Sequence, residues 1–405
     1  HGDINGATWL AGDPFLITYV PDDNFEQALI DLGYDDVLDD SVLTENIYSV
    51  TSINVNGDSI SDLTGIEDFT SLTTLNCVGN QLTSLDMSNN TVLTFLNCYA
   101  NDLTSLNVSN NPLLDFLWCQ NNQLTSLDVS NNIALTELQC HSNNLDGLDL
   151  TANTVLEKLR CNSNQFTTLD LSNNTLLDWI WCQNNQLTNL DFSNNLAIET
   201  IVCNNNELIS LNVTNNTALT VLNCKNNQLP SLDVSNNTAL TNLECNNNPL
   251  TTLDVTNNTA LTTLMCYGNQ LTSLDVSNNT SLTYLRCDAN QLTSLDISNN
   301  TALTGLECYN NQLTSLDVSN NTALTHLKSQ TNQLTGLDVS NNTMLTDLRC
   351  FNNQLSYLNM KNGVTDGLTT FNATNNDSLG CIETLDPDYA TANWTYANGN
   401  IDDGV

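Results

Sequence analysis

From Cys77 to Cys350 one register holds without a break: every twenty-first residue is cysteine, with Ser329 the single exception. That gives 14 copies of one unit, and asparagine stands three residues after each of these positions, from Asn80 to Asn353. A period this strict overrides the two-domain expectation that 405 residues would otherwise raise. The first half of a copy runs L-x-x-L-x-C-x-x-N, as in "LTTLNCVGN" at 72–80, and the second L-x-x-L-D-V-S-N-N, as in "LTSLDVSNN" at 271–279. Both halves alternate about a central leucine, which is the period of a strand. Leu264 and Cys266 should point inward and Met265 outward; Leu253 and Val255 inward and Asp254 outward. Each copy is therefore expected to be one coil of two short parallel strands joined by Asn-rich turns. One coil cannot bury its own leucines, but stacked coils share a core. Stacking at the strand spacing of roughly 4.8 Å would make 14 coils about 65 Å long.

The unit resembles the leucine-rich repeat. L-x-x-L-x-L-x-x-N-x-L is matched by "LTTLMCYGNQL" at 261–271, with cysteine for the third leucine, and the match recurs in register over roughly residues 50–360. The half-copy "LDVSNN" carries the same signature, so little helix is expected within the coils. The ends differ from the repeats. In "VPDDNFEQALIDLGYDDVLDDSVLTENI" (20–47), Asp22 or Asp23 suits an N-cap, Phe25, Leu29 and Leu32 share a helical face, and Gly33 is a stop. Residues 50–75 resemble the opening repeats of internalin-type and flavobacterial surface leucine-rich repeat proteins, and 381–405 the closing segment of the flavobacterial ones. The resemblance implies a mainly β, right-handed solenoid of 14 regular 21-residue coils with a short helical N-terminal cap. The expected organisation is an N-terminal segment and cap at 1–49, a lead-in repeat at 50–71, the solenoid at 72–365 and a C-terminal cap at 366–405. In those proteins a second cysteine follows the equivalent of Cys381, so this last cap is expected to be truncated.

Fourteen cysteines invite a search for disulfides or metal, but the spacing opposes both. Neighbours in one inward column lie about 4.8 Å apart with parallel Cα–Cβ vectors, beyond the usual Cβ separation of roughly 3.5–4.5 Å for a disulfide. A straight column cannot enclose a tetrahedral zinc ion, and no CxxC occurs. The cysteines are expected to pack as small apolar residues, and the resemblance implies that the asparagine column satisfies turn backbone groups. A second outward column is aspartate in 11 of 14 copies, asparagine standing at Asn107, Asn212 and Asn359. Its carboxylates should form a solvated ladder. A sharper alternative places cations along it, at Asp233, Asp254, Asp275 and Asp296, with Ca2+ suited to ligands that are all oxygen. No other cofactor is expected.

Composition excludes further classes. The chain carries 45 Asp+Glu against 7 Lys+Arg, a net charge of −38, which repels nucleic acid and anionic membrane surfaces. No apolar run approaches the roughly 18 residues that would span a bilayer; "FLITYV" at 15–20 is strand-sized. The three histidines are His1, His141 and His326, and no P-loop, GxSxG or HExxH occurs, so an enzyme is not expected. The start "HGDINGATW" lacks an initiator Met, as in a processed chain from which an export signal has been removed. Three D-S-aliphatic triplets (40–42, 58–60 and 377–379) resemble the O-glycosylation signal of Bacteroidetes. Both point to a secreted or cell-surface protein.

Where the copies differ is informative. Variation concentrates in three outward columns: one before the central leucine, one after it, and one after the cysteine. These hold Phe95, Tyr99, Phe116, Trp118, His141, Lys158, Arg160, Trp179, Trp181, Met265, Tyr267, Tyr284, Arg286, Tyr309, Lys328, Arg349 and Phe351. Six of the seven basic residues lie in these columns, but only five acids do: Glu137, Glu244, Asp288, Glu307 and Asp347. A chain at −38 thus presents one near-neutral, aromatic face, the composition of a binding surface. Two patches are expected, 95–181 and 265–351, with cation–π contact around Arg160 in the first. The expected function is recognition or adhesion, binding a protein or cell-surface partner through this face, with the protein as a monomer. A glycan ligand, a structural stalk and an ice-binding surface (rows such as Thr272/Ser273 and Thr293/Ser294) are the alternatives.

Overall fold

The computed structural model describes residues 16–405. His1 and the rest of 1–15, the beginning of the expected N-terminal segment, lie outside them. The chain divides into two units, His1–Leu187 and Thr188–Val405, taken here in turn.

The first unit opens with a cap. Strands Ile17–Tyr19 and Ser41–Leu43 pair antiparallel, and between them lies the helix Asp23–Asp31. Asp22 is its N-cap, accepting from the backbone N–H of Asn24 and Phe25 at 3.0 Å. The same carboxylate accepts from Ser61 N, Ser61 Oγ and Asp62 N, tying the helix to the lead-in repeat. Phe25 and Leu29 are fully buried, Phe25 against Phe69 at 6.5 Å. Leu32, expected on the same face, is 44 % exposed: the helix has ended, and Gly33 (φ +81°) turns the chain away. Parallel strands follow at Ser52–Asn54, Thr74–Asn76, Phe95–Asn97, Phe116–Trp118, Glu137–Gln139, Lys158–Arg160 and Trp179–Trp181.

The second unit repeats the arrangement with nine strands, from Thr200–Val202 to Thr370–Asn372. It closes with strand Ile382–Thr384 and the helix Pro387–Asn393, which is N-capped by Asp386, and Trp394 packs on Phe371 at 4.4 Å. The strand column thus counts seven in one unit and nine in the other, extending beyond the 14 regular copies by one strand at each end.

The inward columns are buried as the alternation requires. Leu264, Cys266 and Val255 have no exposed surface, and each such leucine contributes roughly 1.5–3 kcal/mol. Asparagine completes each coil. Asn122 donates to the carbonyls of Cys98 and Cys119 (3.1 Å each) and accepts from Leu103 N at 2.9 Å. A second asparagine column, which the periodicity did not single out, is also buried: Asn258 donates to Val234 O at 2.9 Å and Asn237 O at 2.8 Å. The residue two after each cysteine turns left-handed, at φ near +55°, which asparagine tolerates best among residues with a Cβ. Helix is absent from the regular coils of 72–365.

The second strand of each coil departs from expectation. A hydrogen-bonded ladder forms only between Ser84–Asp86 and Ser105–Asn107, between Asn189–Asp191 and Ser210–Asn212, and among Gly336–Asp338, Tyr357–Met360 and Ile382–Thr384. The first three of these pairings are where asparagine replaces aspartate. Asn107, Asn212 and Asn359 donate to Asp86, Asp191 and Asp338 of the preceding coil at 2.9, 2.9 and 3.1 Å. At most other junctions two carboxylates would face each other across the ladder, and like charges directly opposite destabilise a strand pair; after Asn107 and Asn212 the next coil brings Asp128 and Asp233, whose side chains have no N–H to donate back. Aspartates inside and outside the ladders alike bond within their own turns, as Asp191 does with Ser193 N at 2.9 Å and Asp254 with Thr256 N at 2.9 Å and Thr256 Oγ1 at 2.6 Å.

Candidate recognition face

In the first unit the variable columns bring an aromatic cluster next to a cationic one. Phe95 lies 6.1 Å from Phe116 and edge-on to Trp118 at 5.2 Å. Trp118 Nε1 donates to Glu137 at 3.0 Å, and Gln139 Nε2 donates to the same oxygen at 2.5 Å. Two coils further on, Trp179 and Trp181 are 4.7 Å apart, and the Arg160 guanidinium sits over both rings, at 4.8 and 4.1 Å. Burial, reinforced by the Arg160 charge, holds His141 down at about 4, so its ring is neutral at physiological pH. Lys158 is exposed and Tyr99 half-buried on the same columns.

The second unit builds its patch differently. The Arg286 guanidinium covers Tyr267 at 3.7 Å, bonds Asp288 at 2.8 Å and donates to Tyr309 Oη at 3.0 Å. Glu307 receives Lys328 at 2.7 Å and Tyr284 Oη at 3.0 Å. Burial pushes the Glu307 carboxyl up, but the bonds from Lys328 and Tyr284 outweigh it and hold it below the ordinary range. Gly305 permits this packing: a Cβ there would meet the Tyr284 ring at 2.6 Å. Arg349 pairs with Asp347 at 3.0 Å, and Met265 and Phe351 are half-buried nearby on the columns. Asp288 and Glu307 are the residues that sequence reasoning undervalued, counted as a minority of acids when they are the buried counter-charges of the patch. The register held the signal: Glu307 is paired in the ladder with both Arg286 and Lys328.

The cysteine column offers no reactive group. Every member from Cys77 to Cys350 is fully buried, and burial pushes the thiols of Cys98, Cys140, Cys224, Cys308 and Cys350 up to about 12. In the acidic column, the bonds from Thr256 hold Asp254 below its ordinary value, and Asp233 behaves likewise with Ser235. Among the described residues no group of three or more His, Cys, Asp or Glu is placed to hold a metal ion, and no helix is long and apolar enough to cross a membrane.

Stacked parallel coils, two asparagine columns and a variable strand face define a leucine-rich repeat protein. No protein-family model matches the chain. A solved structure, described as the functional domain of InlJ from Listeria monocytogenes that includes a cysteine ladder, aligns over 89 % of this chain and 82 % of that one, at 36 % identity and a TM-score of 0.81. YopM, a leucine-rich effector protein of Yersinia pestis, aligns over 82 % of this chain and 88 % of its own, at 26 % identity and a TM-score of 0.62. The curated internalin J of Listeria monocytogenes serotype 4b is 40 % identical over 73 residues, which are 18 % of this chain and 8 % of that protein. The chain belongs to the internalin-like leucine-rich repeat family.

Proposed function

We propose that this protein is a non-enzymatic recognition module, displayed on a cell surface or secreted, that binds a protein partner through the variable strand face. One observation carries this reading. On a chain whose surface is otherwise Asn, Thr, Ser and Asp, six of seven basic residues and three of five tryptophans fall on these columns. There they form ordered cation–aromatic clusters. Free drift of a solvated strand face would scatter them. The internalin-like family and the absence of a reactive thiol on the face support a binding role over a catalytic one.

A glycan partner is the second reading, favoured by three half-buried tryptophans on this face. It is weakened because Arg160 already covers a face of both Trp179 and Trp181. The test is a panel of purified extracellular proteins and glycans, probed with the wild-type chain and with Trp118→Ala, Trp181→Ala and Tyr284→Ala. Loss of a protein signal in any of the three supports the reading. A signal that all three leave unchanged assigns binding elsewhere and refutes it.

A further inference from the structure

Cations are scarce here, seven against 45 carboxylates, so ion pairing should be the default fate of each one. Five obey: Lys225, Arg286, Lys328, Arg349 and Lys361 hold Glu244, Asp288, Glu307, Asp347 and Glu383 at 2.7–3.0 Å. Among the described residues, Lys158 and Arg160 make no ion pair, and both lie in the first unit on one strand. The register does deliver an acid to them, since Glu137 is the ladder partner of Lys158. Its carboxylate is instead turned to Trp118 and Gln139.

The surrounding polar atoms are also unmet. Arg160 Nε, Trp181 Nε1 and His141 Nδ1 have no hydrogen-bond partner, nor does Oε1 of Gln120, a residue only 8 % exposed on the same column as His141. In the second unit the equivalent arginine is saturated by Asp288, Glu307 and Tyr309.

Resting on the recognition reading above, we propose that Lys158 and Arg160 form a subsite for a carboxylate side chain, Asp or Glu, presented by an extended segment of the protein partner. A guanidinium seated over two indole rings keeps its planar fork of N–H donors, and that fork matches a carboxylate. Lys158 adds a second, mobile charge. Phe116 and Trp118 share one strand two coils before Lys158 in the same ladder, about 10 Å away at the strand spacing. An extended peptide rises about 3.3 Å per residue, so an apolar side chain some three positions from the acid would reach Phe116. A carboxylated glycan fits less well, because the indole faces a sugar ring would stack on already carry the guanidinium.

The probe is a fluorescein-labelled nine-residue peptide in a Gly/Ser background, with Glu and, three positions away, Leu. Its counterpart has Gln for Glu, and oligogalacturonate serves as the acidic sugar. Anisotropy is measured on the full chain, on Lys158→Gln, Arg160→Gln and, as a control off the variable columns, Lys361→Gln, each checked for an unchanged thermal melt. The Glu peptide should bind at least about tenfold tighter than its Gln counterpart, lose that margin in either Lys158→Gln or Arg160→Gln, and keep it in Lys361→Gln. Four results overturn the proposal: no binding of the Glu peptide, equal binding of the two peptides, an equal loss in Lys361→Gln, or tighter binding of oligogalacturonate than of the peptide. The broader reading is separable. A protein partner that survives Lys158→Gln and Arg160→Gln but is lost with Trp118→Ala removes the carboxylate subsite and leaves the recognition face standing.

Discussion

Asn212→Asp changes one amide to a carboxylate of the same shape, and the structure sets its cost. The Asn212 amide donates to Asp191 at 2.9 Å, and this pair lies in one of the few second-strand ladders, Asn189–Asp191 with Ser210–Asn212. The substitution removes an exposed hydrogen bond, about 0.5–1 kcal/mol. It also places a carboxylate between those of Asp191 and Asp233. Two charges about 4.8 Å apart repel by about 0.9 kcal/mol in water, and a screening length of about 8 Å at physiological salt halves that. The sum is about 1.5 kcal/mol at 0.15 M NaCl. Near 1 M NaCl the repulsion is mostly screened, and about 0.5–1 kcal/mol should remain. Urea unfolding of both proteins at the two salt concentrations measures the difference, and amide exchange at Ser210–Asn212 should show the ladder opening. The mirror change, Asp254→Asn, should add a bond to Asp233 and stabilise the chain. An Asn212→Asp cost that grows with salt, or an Asp254→Asn variant that is less stable, would refute the account of charge repulsion. The latter result in millimolar Ca2+ alone would mean that cations sit along the column.

Three further outcomes are expected. Ser329 Oγ is buried without a partner, so Ser329→Cys should raise stability by about 1–2 kcal/mol in the same urea assay. Asn269 holds the carbonyls of Cys245 and Cys266 and the N–H of Leu250, so Asn269→Ala should cost about 3 kcal/mol or more and raise amide exchange in the flanking coils. His141 is held at about 4 by burial and then by Arg160, against an ordinary 6.5. Between those values the unfolded chain binds the extra proton, so its contribution is intact above pH 6.5 and lost as pH falls toward 4. After allowance for solvent screening the loss is on the order of 1–2 kcal/mol. A His141→Gln variant should flatten the melting temperature over that window.

Much of the fold was legible because the repeat supplies the same physical test many times. The inward columns are buried or nearly so in every copy, and Leu, Cys and the first Asn declare themselves by varying little or not at all. The exceptions escaped for the same reason. Asn107, Asn212 and Asn359 look like tolerated variants of aspartate, yet they mark where a second ladder forms, because each amide can donate to the aspartate one coil before it. The aromatic and basic residues of the candidate site were also visible, as was the cation–π contact at Arg160. What could not be foreseen was the difference between the patches. It turns on where the Glu137 and Glu307 carboxylates point, one toward an indole N–H and the other toward a lysine. Rotamers of this kind are set by packing and have no signature in a period.

The buried thiol column also makes the molecule its own unfolding gauge. Each regular coil but one carries a single thiol sealed from solvent, and burial keeps those whose shift is largest from ionising near neutral pH. Alkylation at a given cysteine therefore requires that coil to open, and mass spectrometry can assign the label to it. Exposed Cys381 supplies the fully reactive reference within the same chain. The order in which the cysteines take label would then give the order in which the stack comes apart, resolved to 21 residues.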